Sequence, residues 1–193
     1  MSTITGPFIV LCWAIFLLYW FIAAFTVKRT AEGRGFKSWG WRFLILAAVF
    51  LAIFFKHSGM LLESSSKVIL WRRILAVRIA ADLITFIGLV IAIWARRTLA
   101  GNWSSDVVLK ENHELIERGP YAYVRHPIYS GVLLMVLGLA IISGRCGILI
   151  AFVILFVGFW FKALQEERLL ANHFPQEYPK YKQRVKAFIP FLF

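Results

Sequence analysis

The sequence predicts an all-α fold: a polytopic membrane helical bundle of about five transmembrane helices, the last two paired as a helical hairpin. Three observations carry that prediction. Of 193 residues, 60% are apolar and 17% aromatic, and the mean hydropathy is +0.72, well outside the soluble average. The apolar residues form long uncharged runs, and the basic residues fall between those runs, as membrane topology requires. A net charge of +12 placed this way belongs to membrane flanks and not to nucleic-acid binding, which needs Lys and Arg gathered against phosphates.

The first run, Phe8 to Val27, carries no charge over 20 residues, the length that crosses about 30 Å of hydrocarbon at about 1.5 Å per residue. Met1 to Pro7 has no basic side chain, so the run reads as a membrane helix and not as a cleaved signal peptide. The second runs from Trp39 to Leu62, although its uncharged centre, Phe43 to Phe55, is short enough to be re-entrant instead. Trp39, Trp41 and a snorkelling Arg42 mark one interface there. The third, Ile74 to Ala95, holds Arg78 and Asp82 four residues apart, on one helical face that should look into the bundle. A structural ion pair is the favoured reading, because no motif surrounds them.

A polar stretch from Arg96 to Pro127 precedes two shorter apolar runs, Ile128 to Ser143 and Ile148 to Phe161. Between them Gly144, Arg145, Cys146 and Gly147 make a tight turn suited to a helical hairpin. Sixteen basic residues flank the spans on one side: Lys28, Arg29, Arg34, Lys37 and Arg42; Arg96, Arg97, Lys110, Arg118 and Arg125; Lys162, Arg168, Lys180, Lys182, Arg184 and Lys186. Five lie on the other: Lys56, Lys67, Arg72, Arg73 and Arg145. This bias puts the N-terminus outside and the tail in the cytoplasm. Cys12 and Cys146 have no partner spacing, which supports neither a disulfide framework nor a zinc site, and no metal is expected. The basic tail, with Phe174, Tyr178, Tyr181 and Phe188 interleaved, reads as a surface segment meeting anionic headgroups.

Two polar clusters flank the last hairpin. One is Arg118-Gly119-Pro120-Tyr121-Ala122-Tyr123-Val124-Arg125-His126-Pro127-Ile128-Tyr129-Ser130-Gly131, and the other runs from Lys162 through Glu166 and Glu167 to Leu170. Since a hairpin returns the chain to the side it left, Arg125 and His126 should face Lys162, Glu166 and Glu167. Pro127 suits the first helical position, where its missing N–H is not needed, and the helix start then presents backbone donors to a carboxylate or phosphate. Lys162 and Glu166 share a helical face, whereas Glu167 is turned about 100° from Glu166, so that one carboxylate enters a site while the other stays wet. On spacing alone, a snorkelling lysine and a solvated helix end describe this stretch equally well.

The string Gly119 to Gly131, the apolar hairpin, then Glu166-Glu167, Phe174, Tyr178, Tyr181 and Pro190-Phe191, with Asn102-Trp103 upstream, resembles the isoprenylcysteine carboxyl methyltransferase family and its phospholipid methyltransferase relatives. The resemblance covers roughly the last 95 residues and is specific because Arg-His-Pro-x-Tyr and Glu-Glu are tied together by a hairpin of the right length. It implies S-adenosylmethionine bound in a cytoplasmic pocket beside the hairpin, with a lipid-linked acceptor entering from the membrane. Residues 1–95 then form the N-terminal spans and residues 96–193 the methyltransferase region. His113, Glu114, Leu115 and Ile116 look like the segment lining the cofactor. Tyr121, with His126, Pro127, Ile128 and Tyr129, is similar to a second cofactor-contacting stretch. Glu166, with Glu167 beside it, resembles the acidic cofactor contact. Lys162 stands where a family member can carry an arginine near the acceptor, keeping the charge but losing the bidentate fork.

The reaction so implied is a direct displacement, with Arg125, Lys162 and Glu166 as the charged residues at the reacting groups. A carboxylate acceptor is already an anion at neutral pH, whereas an amine must first lose a proton. The acceptor itself, a prenylated cysteine on a small molecule or protein, a phospholipid amine or another amphiphile, stays open. Two other readings remain: a membrane reductase of the sterol type using a nicotinamide cofactor, and a non-catalytic lipid-binding bundle. The second accounts for the spans but not for the co-occurrence of both polar clusters.

Overall fold

A computed structural model describes residues 5–25, 30–32, 74–103, 109–110, 114–144 and 146–190. The second expected span, Trp39 to Leu62, lies outside the described residues. Five helices are described: α1 (Thr5–Ala24), α2 (Leu75–Leu99), α3 (Pro127–Ser143), α4 (Cys146–His173) and α5 (Glu177–Arg184). A short antiparallel ribbon, β1 (Thr30–Glu32) with β2 (Leu109–Lys110), is a minor addition to the all-α fold. Among the described residues three helices are long and apolar enough to cross a membrane, Pro7–Ala24, Leu75–Asn102 and Cys146–His173, and the 17-residue α3 is shorter but equally apolar.

In α1 the residues Ile9, Cys12, Trp13, Phe16, Trp20 and Ala23 fall on one face and are buried, while Phe8, Leu11, Ile15, Leu18, Phe21 and Ile22 stay exposed. That division is what a helix with protein on one side and lipid on the other requires. Near its end, the Ala23 carbonyl accepts a hydrogen bond of 2.7 Å from Arg96 Nη2. Arg96 was expected to begin the polar stretch after the third span. Instead α2 continues to Leu99, and the Arg96 side chain is buried, donating also to the Ala100 carbonyl at 2.7 Å and lying 4.5 Å from the Trp103 ring. Three partners offset the cost of burying that charge. Trp103 meets Trp20 edge to face, so Asn102-Trp103 is anchored against α1. Arg78 and Asp82 are both half-buried on α2, and no hydrogen bond from a described residue reaches the buried Asp82 Oδ1.

The most extensive helix contact is that of α2 with α3. Its α2 face is built of small residues, with Ala81, Thr85, Gly88, Ala92 and Ala95 all buried. Lipid tails are as apolar as Leu, so helices in a membrane associate by close packing of small residues and not by a hydrophobic drive. The approach here is backbone to backbone: a Cβ on Gly88 would lie 2.5 Å from the Gly131 carbonyl oxygen, and one on Gly131 would lie 2.7 Å from that of Gly88. A Cβ on Gly138 would lie 2.7 Å from the Ala81 carbonyl oxygen and closer still to Thr85 Oγ1.

Pro127 opens α3 as the spacing predicts, and Gly144 closes it in the left-handed conformation (φ 64°), its N–H bonded to the Ala140 carbonyl at 3.1 Å. The chain then reverses into α4, which runs unbroken beyond the expected end at Phe161 to His173. Lys162, Glu166 and Glu167 therefore stand on a rigid extension of a membrane helix.

The packing at Gly138 yields a direct test. Gly138→Leu should lower the thermal midpoint of the detergent-solubilised protein, by about 1–3 kcal/mol of stability, the usual cost of overpacking. Gly158→Leu, where an added Cβ meets nothing within 4 Å, should leave it unchanged.

Candidate functional site

The hairpin brings the two polar clusters together. Tyr129, in the first turn of α3, donates its hydroxyl to Glu166 Oε1 on α4 at 2.6 Å. His126, just before α3, lies between both carboxylates, with Nδ1 3.6 Å from Glu166 Oε2 and Nε2 3.3 Å from Glu167 Oε1. Lys162 Nζ is 3.8 Å from Glu166 Oε1 and 5.5 Å from the centre of the Tyr129 ring, as the four-residue spacing on α4 requires.

Of the two carboxylates it is Glu167 that is enclosed, at 5% exposure, a choice the spacing on the helix left open. Arg125 donates to its Oε1 through Nε at 2.8 Å and Nη2 at 2.7 Å, while Lys182 Nζ holds Oε2 at 2.7 Å. The remaining guanidinium nitrogen, Nη1, donates to the carbonyls of Val185 and Lys182 at the end of α5. Arg125 was expected beside an anionic acceptor; its guanidinium is committed to this buried carboxylate and to the tail. Glu166 keeps a more open side chain, at 22% exposure.

The tail is therefore a wall of the site and not a surface segment. The N–H groups of Arg125 and His126 bond the carbonyls of Lys186 and Ala187, at 2.8 and 3.0 Å, and Ser130 Oγ bonds that of Phe188 at 2.7 Å. Phe188 is buried against His126, Tyr129, Phe156 and Trp160. Tyr178 and Tyr181 pack with Val185, Leu115, Leu170 and Phe174, and the Tyr181 hydroxyl bonds the Tyr121 carbonyl at 2.7 Å. Aromatics among lysines were expected to lie on headgroups. Here the same amphipathic pattern faces protein, with the cations of α5 outward.

Beside this framework lies a cleft lined by Leu99, Glu114, Leu115, Ile116, Tyr121, Arg125, His126, Leu170, Tyr178 and Tyr181. It gathers Glu114, Leu115, Ile116, Tyr121, Arg125 and His126 of the residues expected from the sequence. Pro127, Ile128, Tyr129, Lys162, Glu166 and Glu167 are not among its lining residues, and His113 lies outside the described residues. The sequence reading missed Leu99, Leu170, Tyr178 and Tyr181 as cleft residues. The three-residue spacing of the two tyrosines, which puts them on one face of α5, was the available signal. Apolar walls with phenol rings suit a flat organic ring, and an acidic side chain on each side of His126 suits a cation. Among the described residues no cluster of three or more His, Cys, Asp or Glu side chains forms that could hold a metal.

Residues 76–177 match the family described as phospholipid methyltransferase. The chain is 33% identical over 84 residues to protein-S-isoprenylcysteine O-methyltransferase B of Arabidopsis thaliana, covering 43% of each protein. It is 28% identical over 148 residues to the protein-S-isoprenylcysteine O-methyltransferase of Saccharomyces cerevisiae, covering 70% of this chain and 62% of that one. The matches thus span less than two thirds of these relatives' length. The fold resembles the solved structure of the eukaryotic intramembrane Ras methyltransferase ICMT, with a TM-score of 0.53 at 22% identity, over 83% of this chain and 55% of the other.

Removing one partner of a buried ion pair strands the other, at a cost of about 3–5 kcal/mol. Glu167→Gln should lower the thermal midpoint accordingly, and adding Arg125→Met should recover part of the loss in a double-mutant cycle. Burial holds the Tyr178 and Tyr181 phenols well above their ordinary value of 10.0, with the Glu167 carboxylate adding to the effect at Tyr178. The folded chain keeps them neutral while the unfolded chain ionises near pH 10. Their contribution to stability is therefore complete below that pH and lost as pH rises past it. Thermal midpoints measured from pH 8 to 11 should fall above pH 10, less steeply in Tyr181→Phe.

Proposed function

This chain belongs to the phospholipid methyltransferase family, and from that premise we propose that it is an integral membrane S-adenosylmethionine-dependent methyltransferase acting on a lipid-linked or amphiphilic acceptor. An isoprenylcysteine-like carboxylate is the first choice of acceptor and a phospholipid amine the second. The observation that carries the reading is the contact of Tyr129 with Glu166, which joins the two motif halves at one end of the hairpin. Residues 96–193 do the chemistry and residues 1–95 embed it, with the N-terminus outside and the tail in the cytoplasm.

The cleft fits the cofactor. Leu115, Ile116, Leu170 and the rings of Tyr121 and Tyr181 offer an apolar and aromatic wall for its base, with Glu114 exposed at the edge. Glu166, partly open and bonded to a neutral phenol, suits its ammonium group. When bound, the cofactor supplies a methyl group on positively charged sulfur, which an acceptor oxygen or nitrogen takes in line as the carbon–sulfur bond breaks.

The chain's own residues bind, orient and keep water away. Lys162 places a cation at the mouth, which favours an anionic acceptor over a protonated amine. A carboxylate needs no base, so a site of this kind needs none. Arg125 acts as a positioning residue, through Glu167. Glu167 holds α4 to the tail, and His126 lines the cleft while reaching both carboxylates.

Incubating the purified protein with radiolabelled S-adenosylmethionine and a membrane extract should put label into an amphiphilic product. Calorimetry should show binding of S-adenosylhomocysteine and none of NADPH; the reverse pattern would instead establish a reductase. Glu166→Gln should lower kcat/KM about 10- to 100-fold, the worth of one charge-assisted hydrogen bond, with the thermal midpoint unchanged. Full activity in that variant would remove Glu166 from the site.

A further inference from the structure

Most polar groups on the cleft wall are already engaged. The Tyr181 hydroxyl is given to the Tyr121 carbonyl, the Arg125 guanidinium to Glu167 and the two tail carbonyls, and the His126 ring to Glu166 and Glu167. Glu114 is exposed at the edge. Tyr178 differs. It is 2% exposed, it lines the cleft, and its buried hydroxyl, which has the donor-only Arg125 guanidinium beside it, has no acceptor for its proton among the described residues. A buried hydroxyl whose proton has no acceptor is a standing cost to the fold, and such groups in native proteins call for a reason.

The ring needs no such reason. Together with Tyr181 and Val185 it forms a small apolar core with Leu115, Leu170, Ala171 and Phe174, which a phenylalanine would serve equally well. What phenylalanine would lack is the oxygen. Tyr178 also starts the α5 segment whose end is pinned by Arg125, so the hydroxyl is held on a fixed element and not on a mobile loop. The phenol is kept neutral by burial, and so it stays a donor.

We propose that the Tyr178 hydroxyl is a ligand-binding group, donating a hydrogen bond to an acceptor oxygen or nitrogen of the nucleoside cofactor bound in the cleft. The assignment rests on the methyltransferase reading above. It makes the C-terminal α5 a contributor to cofactor affinity, and it divides the cofactor's contacts between a hydroxyl on the tail and a carboxylate on α4.

The test is Tyr178→Phe in the full chain, read by calorimetry with S-adenosylhomocysteine, by thermal denaturation without ligand, and by steady-state kinetics. The expected result is a dissociation constant raised about 5- to 20-fold, as for one neutral hydrogen bond in a dry site. KM for S-adenosylmethionine should rise with it while KM for the acceptor stays put. The ligand-free thermal midpoint should be equal to or above that of the parent, because the variant discards a hydroxyl whose proton has no acceptor. Equal affinity of parent and variant for S-adenosylhomocysteine overturns the proposal, as does a lower ligand-free midpoint, which would mean that the hydroxyl already has an acceptor in the fold. If the parent protein itself binds no S-adenosylhomocysteine, the methyltransferase reading fails first, and the two failures are thereby told apart.

Discussion

The described site depends on one buried anion. Four parts of the chain converge on the Glu167 carboxylate: α4, which carries it; the segment before α3, through Arg125 and His126; the body of α5, through Lys182; and the end of α5, through the carbonyls that Arg125 also holds. A carboxylate at this depth is tolerable only because each oxygen has its own cation, and that requirement fixes the relative positions of the groups that supply them. The ion pair contributes position more than stability. The backbone bonds of Arg125 and His126 to Lys186 and Ala187 and the burial of Phe188 then hold the basic tail back under the membrane helix.

The anion can serve that purpose because the hairpin is rigid. The membrane offers α3 no hydrophobic reward for leaving lipid, so its location against α2 is set by how closely the two backbones approach at Gly88, Gly131 and Gly138. Arg96 does the same work at the other end of α2, joining the end of α1 to the turn that leads towards the cleft. The site is thus suspended from two fixed points, one made of small residues in hydrocarbon and one of charge at the interface.

Much of this was legible in the sequence. The length of the uncharged runs located α1, α2 and α4, Pro127 and Gly144 marked the ends of α3, and the return of the hairpin placed Arg125 and His126 against Glu166 and Glu167. What could not be read was which side of each charged or aromatic residue meets protein. The helical wheel separates Glu166 from Glu167 by about 100° but does not say where the tail will lie, and Lys182 is fifteen positions further on, past the end of α4. Tyr178, Tyr181 and Phe188 among lysines read equally well as aromatics on headgroups or as a core beneath a charged surface. Arg96 read as the end of a helix because a pair of charges after an apolar run usually marks one, and only a carbonyl from α1 and the Trp103 ring, distant in sequence or past a turn, reveal that it is buried.

The two adjacent carboxylates therefore have unequal freedom, and this bears on how such a site can act. Glu167 has both oxygens committed to cations and little contact with solvent, so exchanging a partner there would first require dismantling the tail. Glu166 is bonded at close range to a neutral phenol; His126 Nδ1 stands 3.6 Å away and Lys162, on the same helix, 3.8 Å away, and its side chain is partly open. A cationic ligand can approach it without leaving a buried charge stranded. On α4 the open apolar residues Ile150, Val153, Ile154, Val157 and Phe161 lead along the helix to Lys162. Under the proposed activity, an amphiphile following that face would keep its tail in hydrocarbon while its head group met first the lysine and then Glu166. Neighbours in sequence thus divide the labour: the locked carboxylate builds the wall, which leaves the open one available for chemistry.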